Sequence, residues 1–511
     1  MLAKVRSFGI IGLDAYPITI EVDVSRGLPA TTIVGLPDDC VRESKERVRS
    51  AIKNSGFQFP ADRITINLSP ADIKKEGPSF DLAIALGILA ASEQISREVI
   101  SSYAFLGELS LDGRIQPING ALSISMSASS ENIAGIVLPT LNAKEAGICG
   151  RIPIFKANSL NDVVYITHNC PHTEIDKNPD IDLPWPSQSY ENDFSDVKGQ
   201  FHVKRGLEIA AAGGHNCLLI GPPGSGKTML AQRLPTILPD MTKDEILETT
   251  KIYSVMGLIK PEQGIITQRP FRSPHHTSSA VALVGGGSNP KPGEVTLSHN
   301  GVLFLDELPE FNRDVLEALR QPLEDHTVTV ARASRTLKFP AQFIFVAAMN
   351  PCQCGQYGDF RAVCRCSPTQ IQKYRSKISG PLLDRIDIHL DVPALNYQEI
   401  SSTRPAESST EIKKRVNRTR AVQIERFKGD GGIVCNAAMS HKQVRKFCTL
   451  GKEESDLLKA VMTELNFSAR AYDKILKVSK TIADLSESDE IKAEHLAEAI
   501  QYRSLDRDFF A

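Results

Sequence analysis

GPPGSGKT, residues 221–228, is the stretch that decides the fold of this chain. It meets the pattern G-x-x-x-x-G-K-S/T at every fixed position, running Gly221, Pro222, Pro223, Gly224, Ser225, Gly226, Lys227, Thr228. Glycines let the backbone turn tightly, so that successive N–H groups point inward at a helix N-terminus and cradle phosphate oxygens. Lys227 then reaches the β- and γ-phosphates, and the Thr228 hydroxyl is offered to Mg²⁺. The flanks agree with this reading. NCLLI (216–220) reads as a short buried strand entering the loop, and TMLAQRL (228–234) as the helix leaving it.

Downstream, the nucleotide chemistry continues in order. GVLFLDE (301–307) is an apolar strand ending in two acids, similar to a Walker B element. Asp306 there holds Mg²⁺ through water, and Glu307 polarises the attacking water. FIFVAAMN (343–350) is another continuous apolar strand, as a parallel sheet buried on both faces requires. It ends in Asn350, suited to orienting water against the γ-phosphate, and resembles the sensor-1 strand of AAA+ ATPases.

Composition bounds the rest. At 511 residues two or three domains are expected, and 41% hydrophobic with 23% charged residues is usual for a soluble globular chain. No apolar run reaches the ~18 residues of a membrane span. MLAKVRSFGIIG (1–12) lacks the apolar core of a signal peptide. Ten cysteines without secretory features predict reduced thiols and a cytoplasmic protein without membrane contact. A net charge of −2 exerts no global pull on nucleic acid, so such binding falls to local basic patches.

The first 170 residues read as a separate α/β domain. ITIEVDVS (18–25) and ATTIVGL (30–36) alternate like strands, and RESKERVRSAIKNSG (42–56) has helical periodicity. KKEGPS (74–79), the apolar helix FDLAIALGILAASE (80–93) and FLGELSLDGRIQPINGAL (105–122) together resemble the proteolytic, ribosomal-S5-like domain of Lon. That resemblance makes Ser79 the counterpart of the nucleophile. The activating lysine is expected after the PI-x-G turn, where this chain has Ala121, Leu122 and Ser123. Without it Ser79 has no evident activator, so a Lon-like fold without protease activity is expected. Residues 171–200, rich in Pro, Asp, Asn and Ser around Trp185, read as a linker.

RPFRSPHHT (269–277), ALVGGG (282–287), the Walker B strand, AAMNPCQCG (347–355) and GPLLDRIDIH (380–389) resemble the magnesium-chelatase-like AAA+ ATPases. With the Lon-like front, the arrangement resembles the YifB/ComM group of that family. The resemblance implies a doubly packed α/β ATPase core over 201–395 and a helical C-terminal lid over 396–511. It implies ATP and Mg²⁺ as cofactors and a homo-oligomeric, hexameric ring. Arg385 matches the arginine finger delivered from a neighbour, or forms a local ion pair with Asp384 or Asp387. Arg470, in FSARAYDKILK (467–477), resembles the sensor-2 arginine on a lid that packs over the nucleotide. The function implied is a DNA motor, helicase-like, for branch migration in recombination and natural transformation, with recombination proteins as further partners. A protein-remodelling chaperone of the magnesium-chelatase/MoxR type and a Lon-type protease are the other readings.

Local basic patches decide where DNA could touch. ARASRTLKFP (331–340) lies where this branch carries a hairpin facing the pore, so Arg332, Arg335 and Lys338 are candidates, as is Lys291 in ALVGGGSNPKPGEV (282–295). Residues 360–383 hold Arg361, Arg365, Lys373, Arg375 and Lys377 and no acid; KKRVNRTRAVQIERFK (413–428) holds seven basic residues against one acid. Each run reads either as a solvated face or as a phosphate track. Cys352, Cys354, Cys364 and Cys366 form C-x-C-x₉-C-x-C, a pattern able to close a tetrahedral structural Zn²⁺ site. His275 and His276 are adjacent, so they point apart in most backbones; they read as structural or phosphate-communicating.

Overall fold

The computed structural model describes residues 1–169, 190–260, 262–287, 290–332, 335–359, 361–394, 406–429, 433–464 and 468–503. They form two compact units, Met1–Pro186 with Ile246–Thr267, and Ser187–Glu245 with Gln268–Ala511. The excursion 246–267 interrupts the continuous ATPase core expected from 201 to 395. Residues 171–189 of the expected linker, with Trp185, lie outside the described residues, as does 395–405 at the core–lid boundary.

The first unit is built on a seven-stranded mixed sheet. Its order is Ala30–Val34, Arg63–Ser69, Asp14–Ser25, Leu2–Ile11, Tyr103–Phe105, Gly135–Pro139, Ile154–Ala157. The two long strands pair antiparallel from Leu2↔Asp23 to Ile11↔Asp14. Alternation in RITINLS drives Ile64, Ile66 and Leu68 into the core while their neighbours stay partly exposed. Helix Asp81–Ala91 is buried along its whole length, as an apolar surface on every side demands. Its one acid, Asp81, takes two bonds from Arg47, at 2.8 and 3.2 Å. Ser79 lies in the single turn Pro78–Phe80 just before it. In helix Ala121–Ala128, residues Ala121, Leu122 and Ser123 are buried. The excursion joins this core through Ser254, which hydrogen-bonds Glu145 by its hydroxyl and accepts the Gly120 N–H at 2.9 Å.

The second unit carries a five-stranded sheet in the order Phe271–Arg272, Val302–Leu305, Ile344–Met349, Cys217–Ile220, Ile388–Asp391. Every pairing is parallel. Val302–Leu305 and Ile344–Met349 are buried at each residue, which is why both read as unbroken apolar runs. Helices Phe201–Gly213 and Lys227–Ile237 flank the sheet, and Ser409–Arg426 packs on both. Ala469–Leu485 rests on Phe201–Gly213 and carries Ala493–Gln501.

Residues 190–200 are part of this core and not linker. Phe194 and Val197 are fully buried, the Phe194 N–H is held by the Ser409 hydroxyl at 2.8 Å, and Arg233 reaches Asp196 at 2.8 Å. Two apolar anchors in a polar window fix the segment, and averaging composition over that window conceals them.

Candidate functional site

The P-loop strand Cys217–Ile220 is interior to the sheet, so the loop that follows emerges between Met349 and Asp391, the register partners of Ile220. Gly224 and Gly226 take φ of +73° and +90°, a region that side chains with a Cβ avoid. At Gly221 a Cβ would stand 2.1 Å from the Val392 carbonyl oxygen. The Lys227 ammonium folds back into the loop, donating to the carbonyls of Gly221 at 2.7 Å and Pro222 at 2.9 Å, and to Asn350 Oδ1 at 3.2 Å. Burial pulls this ammonium below its ordinary pKa, against the carboxylates of Asp306 and Glu307. The Thr228 hydroxyl donates to Asp306 Oδ2 at 2.6 Å.

This loop fits a triphosphate with Mg²⁺. Its backbone is free of Cβ where phosphate must approach, and the buried Ser225 hydroxyl has no partner among the described residues. Its one ammonium is satisfied only by loop carbonyls and Asn350. Thr228 and Asp306 converge as an oxygen pair that a hard divalent cation takes.

Two further residues flank the site: Gln200, which falls in the expected linker, and His276, read from the sequence as structural or phosphate-communicating. Gln200 sits at φ +51° and is buried, donating to the Ser225 carbonyl at 2.8 Å and the Pro393 carbonyl at 3.3 Å. It ties the P-loop to the end of strand Ile388–Asp391. His276 faces Glu307, with Nδ1 3.6 Å from Oε2, while its ring lies 4.1 Å from that of His275 and edge-on to Phe311. Glu307 itself takes a left-handed φ of +52°. Both links join segments far apart in sequence, so no local pattern signals them.

Arg385 and Arg470 do not join this cluster. Ile388 pairs with Cys217, so Arg385 precedes the strand at the edge opposite the P-loop, and its carbonyl accepts from Asn216 at 2.9 Å. Four residues of strand at roughly 3.3 Å each put about 13 Å between the two edges. Arg385 pairs with Glu324 and donates to the carbonyls of Arg320 at 3.1 Å and Pro381 at 2.6 Å. The local acid is thus Glu324, not Asp384 or Asp387. Arg470 lies at the same edge, 3.6 Å from Asp384, and both arginines line one cavity of about 520 Å³. Arg470, expected on a lid that packs over the nucleotide, thus stands away from the P-loop of its own chain, because Ala469–Leu485 begins at the opposite edge of the sheet.

The four cysteines come together. The Sγ atoms of Cys352 and Cys354 are 3.4 Å apart, Cys352 and Cys364 3.7 Å, Cys354 and Cys364 3.6 Å. All four ligand atoms, Cys366 included, lie within 4.8 Å of one another. A tetrahedral Zn–S bond of ≈ 2.3 Å requires sulfurs about 3.8 Å apart, so the set fits zinc. Backbone N–H groups of Gln356 and Arg365 pull the Cys354 thiol well below its ordinary pKa.

The basic candidates divide. Thr327–Arg332 and Arg335–Pro340 form an antiparallel hairpin with Arg332 opposite Arg335; its tip, 333–334, lies outside the described residues. Lys338 and Lys291 are exposed. The run 413–428 is engaged within the chain instead. Lys413 pairs with Asp240, Arg415 with Glu208 and Glu407, Arg418 with Glu487, and Arg426 with Asp484, while Arg420 caps the carbonyls of Ala211 and Ala212. Lys414 and Lys428 pair with Glu411 and Glu425. Acids distant in sequence neutralise the run, so it cements the helical part and is not a free phosphate track.

Comparison with known proteins agrees along the chain. Residues 193–400 match the family described as magnesium chelatase, subunit ChlI; residues 20–142 match subunit ChlI of Mg-chelatase, and residues 406–503 its C-terminal part. The chain is 44% identical over 508 residues to the uncharacterized protein YifB of Escherichia coli K12, covering 99% of this chain and 98% of YifB. It is 44% identical over 513 residues to the competence protein ComM of Haemophilus influenzae, covering 99% and 98%. A Lon protease of Chloroflexus aurantiacus is 28% identical over 171 residues, 31% of this chain and 20% of that protease. An AAA+ core with a helical C-terminal part behind a Lon-like α/β domain, matched end to end, settles the kinship: the chain belongs to the magnesium-chelatase-like AAA+ ATPases, in the group of YifB and ComM.

Proposed function

We propose that this chain is the subunit of a ring motor that uses ATP to move branched DNA, promoting branch migration during homologous recombination and natural transformation. The observation that carries the reading is the separation of Lys227 from Arg385. A cation at the far edge of the sheet meets a phosphate only if the phosphate belongs to another copy. The name of the competence relative supports the DNA assignment, as does the hairpin that carries Arg332 opposite Arg335 and bears the exposed Lys338. Ser79 without a lysine at 121–123 speaks against proteolysis.

In this reading the P-loop amides and Lys227 hold the phosphates, and Thr228 and Asp306 hold Mg²⁺. Bound ATP supplies the anhydride whose cleavage drives the motor, with Mg²⁺ neutralising its charge. Glu307 Oε2 takes the proton of the attacking water, and the Asn350 amide orients that water. Arg385 and Arg470 exchange Glu324 and Asp384 for the adjoining subunit's site, where an arginine finger contributes on the order of 10³–10⁵ in rate. The four thiols hold a structural zinc ion. The ring is hexameric and cytoplasmic.

A four-way junction assay tests the motor. ATP-dependent strand exchange by the wild-type chain, absent in Lys227→Ala, is expected. ATP turnover stimulated by unfolded protein and indifferent to branched DNA would replace this reading with protein remodelling.

A further inference from the structure

The nucleotide site and the cysteine cluster are adjacent in space as well as in sequence. Strand Ile344–Met349 runs into Asn350, then Pro351, then the fully buried Cys352. Gly355, at φ +79°, lies on the shoulder of the P-loop: a Cβ there would stand 2.6 Å from Cδ and 2.7 Å from Cγ of Pro223, and 3.8 Å from Cγ of Asn350. Its N–H donates to the Cys352 carbonyl at 3.0 Å, so its position follows from that of the first thiol. The far end of the cluster is also tied back. Cys366 is followed directly by Ser367, the N-cap of helix Pro368–Arg375. That helix returns Arg375 Nε to the Pro351 carbonyl at 3.3 Å and the buried Tyr374 hydroxyl to the Asn350 N–H. Asn350 is thus gripped between Lys227 on one side and the knuckle with its helix on the other.

We propose that the four-cysteine knuckle, closed by a divalent cation of the zinc class, is a brace that positions Asn350 and the Pro223 shoulder of the P-loop for ATP hydrolysis. The inference rests on the zinc reading of the four thiols. Loop 352–366 is short of apolar side chains; of the four cysteines only Cys352 is buried. Its closure depends on the ion, whose binding free energy becomes ordering of the loop. Asn350 is the acting group here and the knuckle a positioning device. Losing the ion therefore leaves the cradle of Lys227 and Thr228 able to take nucleotide while the Asn350 amide swings.

The experiment uses the full-length chain and three readouts: bound metal by atomic emission, affinity for a fluorescent ADP, and ATP turnover. Wild type is expected to carry about one zinc per chain. Cys354→Ser with Cys364→Ser loses it, and kcat falls about tenfold or more while the ADP Kd moves by less than about threefold. Gly355→Ala keeps all four thiols and the zinc, yet presses a methyl group on Pro223; its kcat falls likewise at unchanged metal content. This second variant speaks for the contact even if the cysteine variant fails to fold. Wild type free of zinc overturns the metal reading, and the brace with it. Zinc present, but kcat within about twofold of wild type in Gly355→Ala, overturns the brace and leaves the metal reading standing.

Discussion

In the proposed site Lys227 and Glu307 would act on the nucleotide in different ways, and their surroundings say how. The Lys227 ammonium is buried against two carbonyls and the Asn350 amide, so its removal strips the cradle of its only inward charge. Lys227→Ala should abolish ATP binding together with turnover. Glu307 is more exposed and touches the loop through no hydrogen bond of its carboxylate; its backbone N–H goes to Asp306 Oδ1 at 2.9 Å. Glu307→Gln should therefore retain ATP while turnover falls by about 10²–10⁴; filter-bound ATP and phosphate release read the two effects separately. His276 stands beside the Glu307 carboxylate, with Nδ1 3.6 Å from Oε2. His276→Ala should lower kcat by about tenfold, the equivalent of ~1.4 kcal/mol, with KM for ATP unchanged. The gathering of 227, 228, 306 and 307 at one place was legible because each position is fixed by spacing within one strand–loop junction. His276 was singled out as structural or phosphate-communicating, but its place beside Glu307 was not legible, since it depends on which strand lies beside Val302–Leu305, and short Phe271–Arg272 gives no periodic signal.

Helix Asp81–Ala91 shows what an element demands of one buried charge. Burial pushes the Asp81 carboxyl up to about 6, although Arg47 and the Leu109 N–H pull it down. Unfolded, the group titrates near its ordinary value of about 3.9. Between these values the folded unit keeps a proton that the unfolded chain has released. The stabilisation from this group is therefore complete below about 4 and is lost as pH rises through 6. The urea midpoint of the first unit should rise, relative to Asp81→Asn, by the equivalent of on the order of 1 kcal/mol between pH 7 and pH 4.5. The apolar helix itself was legible, since eleven buried residues admit no other pattern. Segment 190–200 was not. Its anchors Phe194 and Val197, and the buried amide of Gln200, act through partners as distant as Ser409 and Pro393. Composition sees only the polar residues between them. Basic run 413–428 misled in the opposite sense, because its neutralising acids Glu208, Asp240, Glu407, Asp484 and Glu487 lie mostly far away in sequence.

At the scale of the whole molecule, the proposed ring would use the two opposite edges formed by the strand ends of the five-stranded sheet as two half-sites. One edge presents Lys227, Thr228, Asp306, Glu307 and Asn350; the other presents Arg385 and Arg470 around a cavity of about 520 Å³. Neither half can be moved to the other without unravelling strands Cys217–Ile220 and Ile388–Asp391, whose buried side chains are worth roughly 1.5–3 kcal/mol each. A heterologous, head-to-tail contact between copies brings unlike edges together, and a closed ring repeats that contact at every interface. Mixing then makes a specific demand. Lys227→Ala subunits lack the cradle but keep the cation, and Arg385→Ala subunits keep the cradle but lack the cation; each preparation alone should be nearly inactive. In an equimolar random mixture, half the cradles are intact and half of those face an intact Arg385, so about a quarter of wild-type turnover should return. If Arg385 acted within its own chain, no pairing of these subunits would contain a complete site. The mixture would then stay as inactive as its parents, and the neighbour's role would have to be given up.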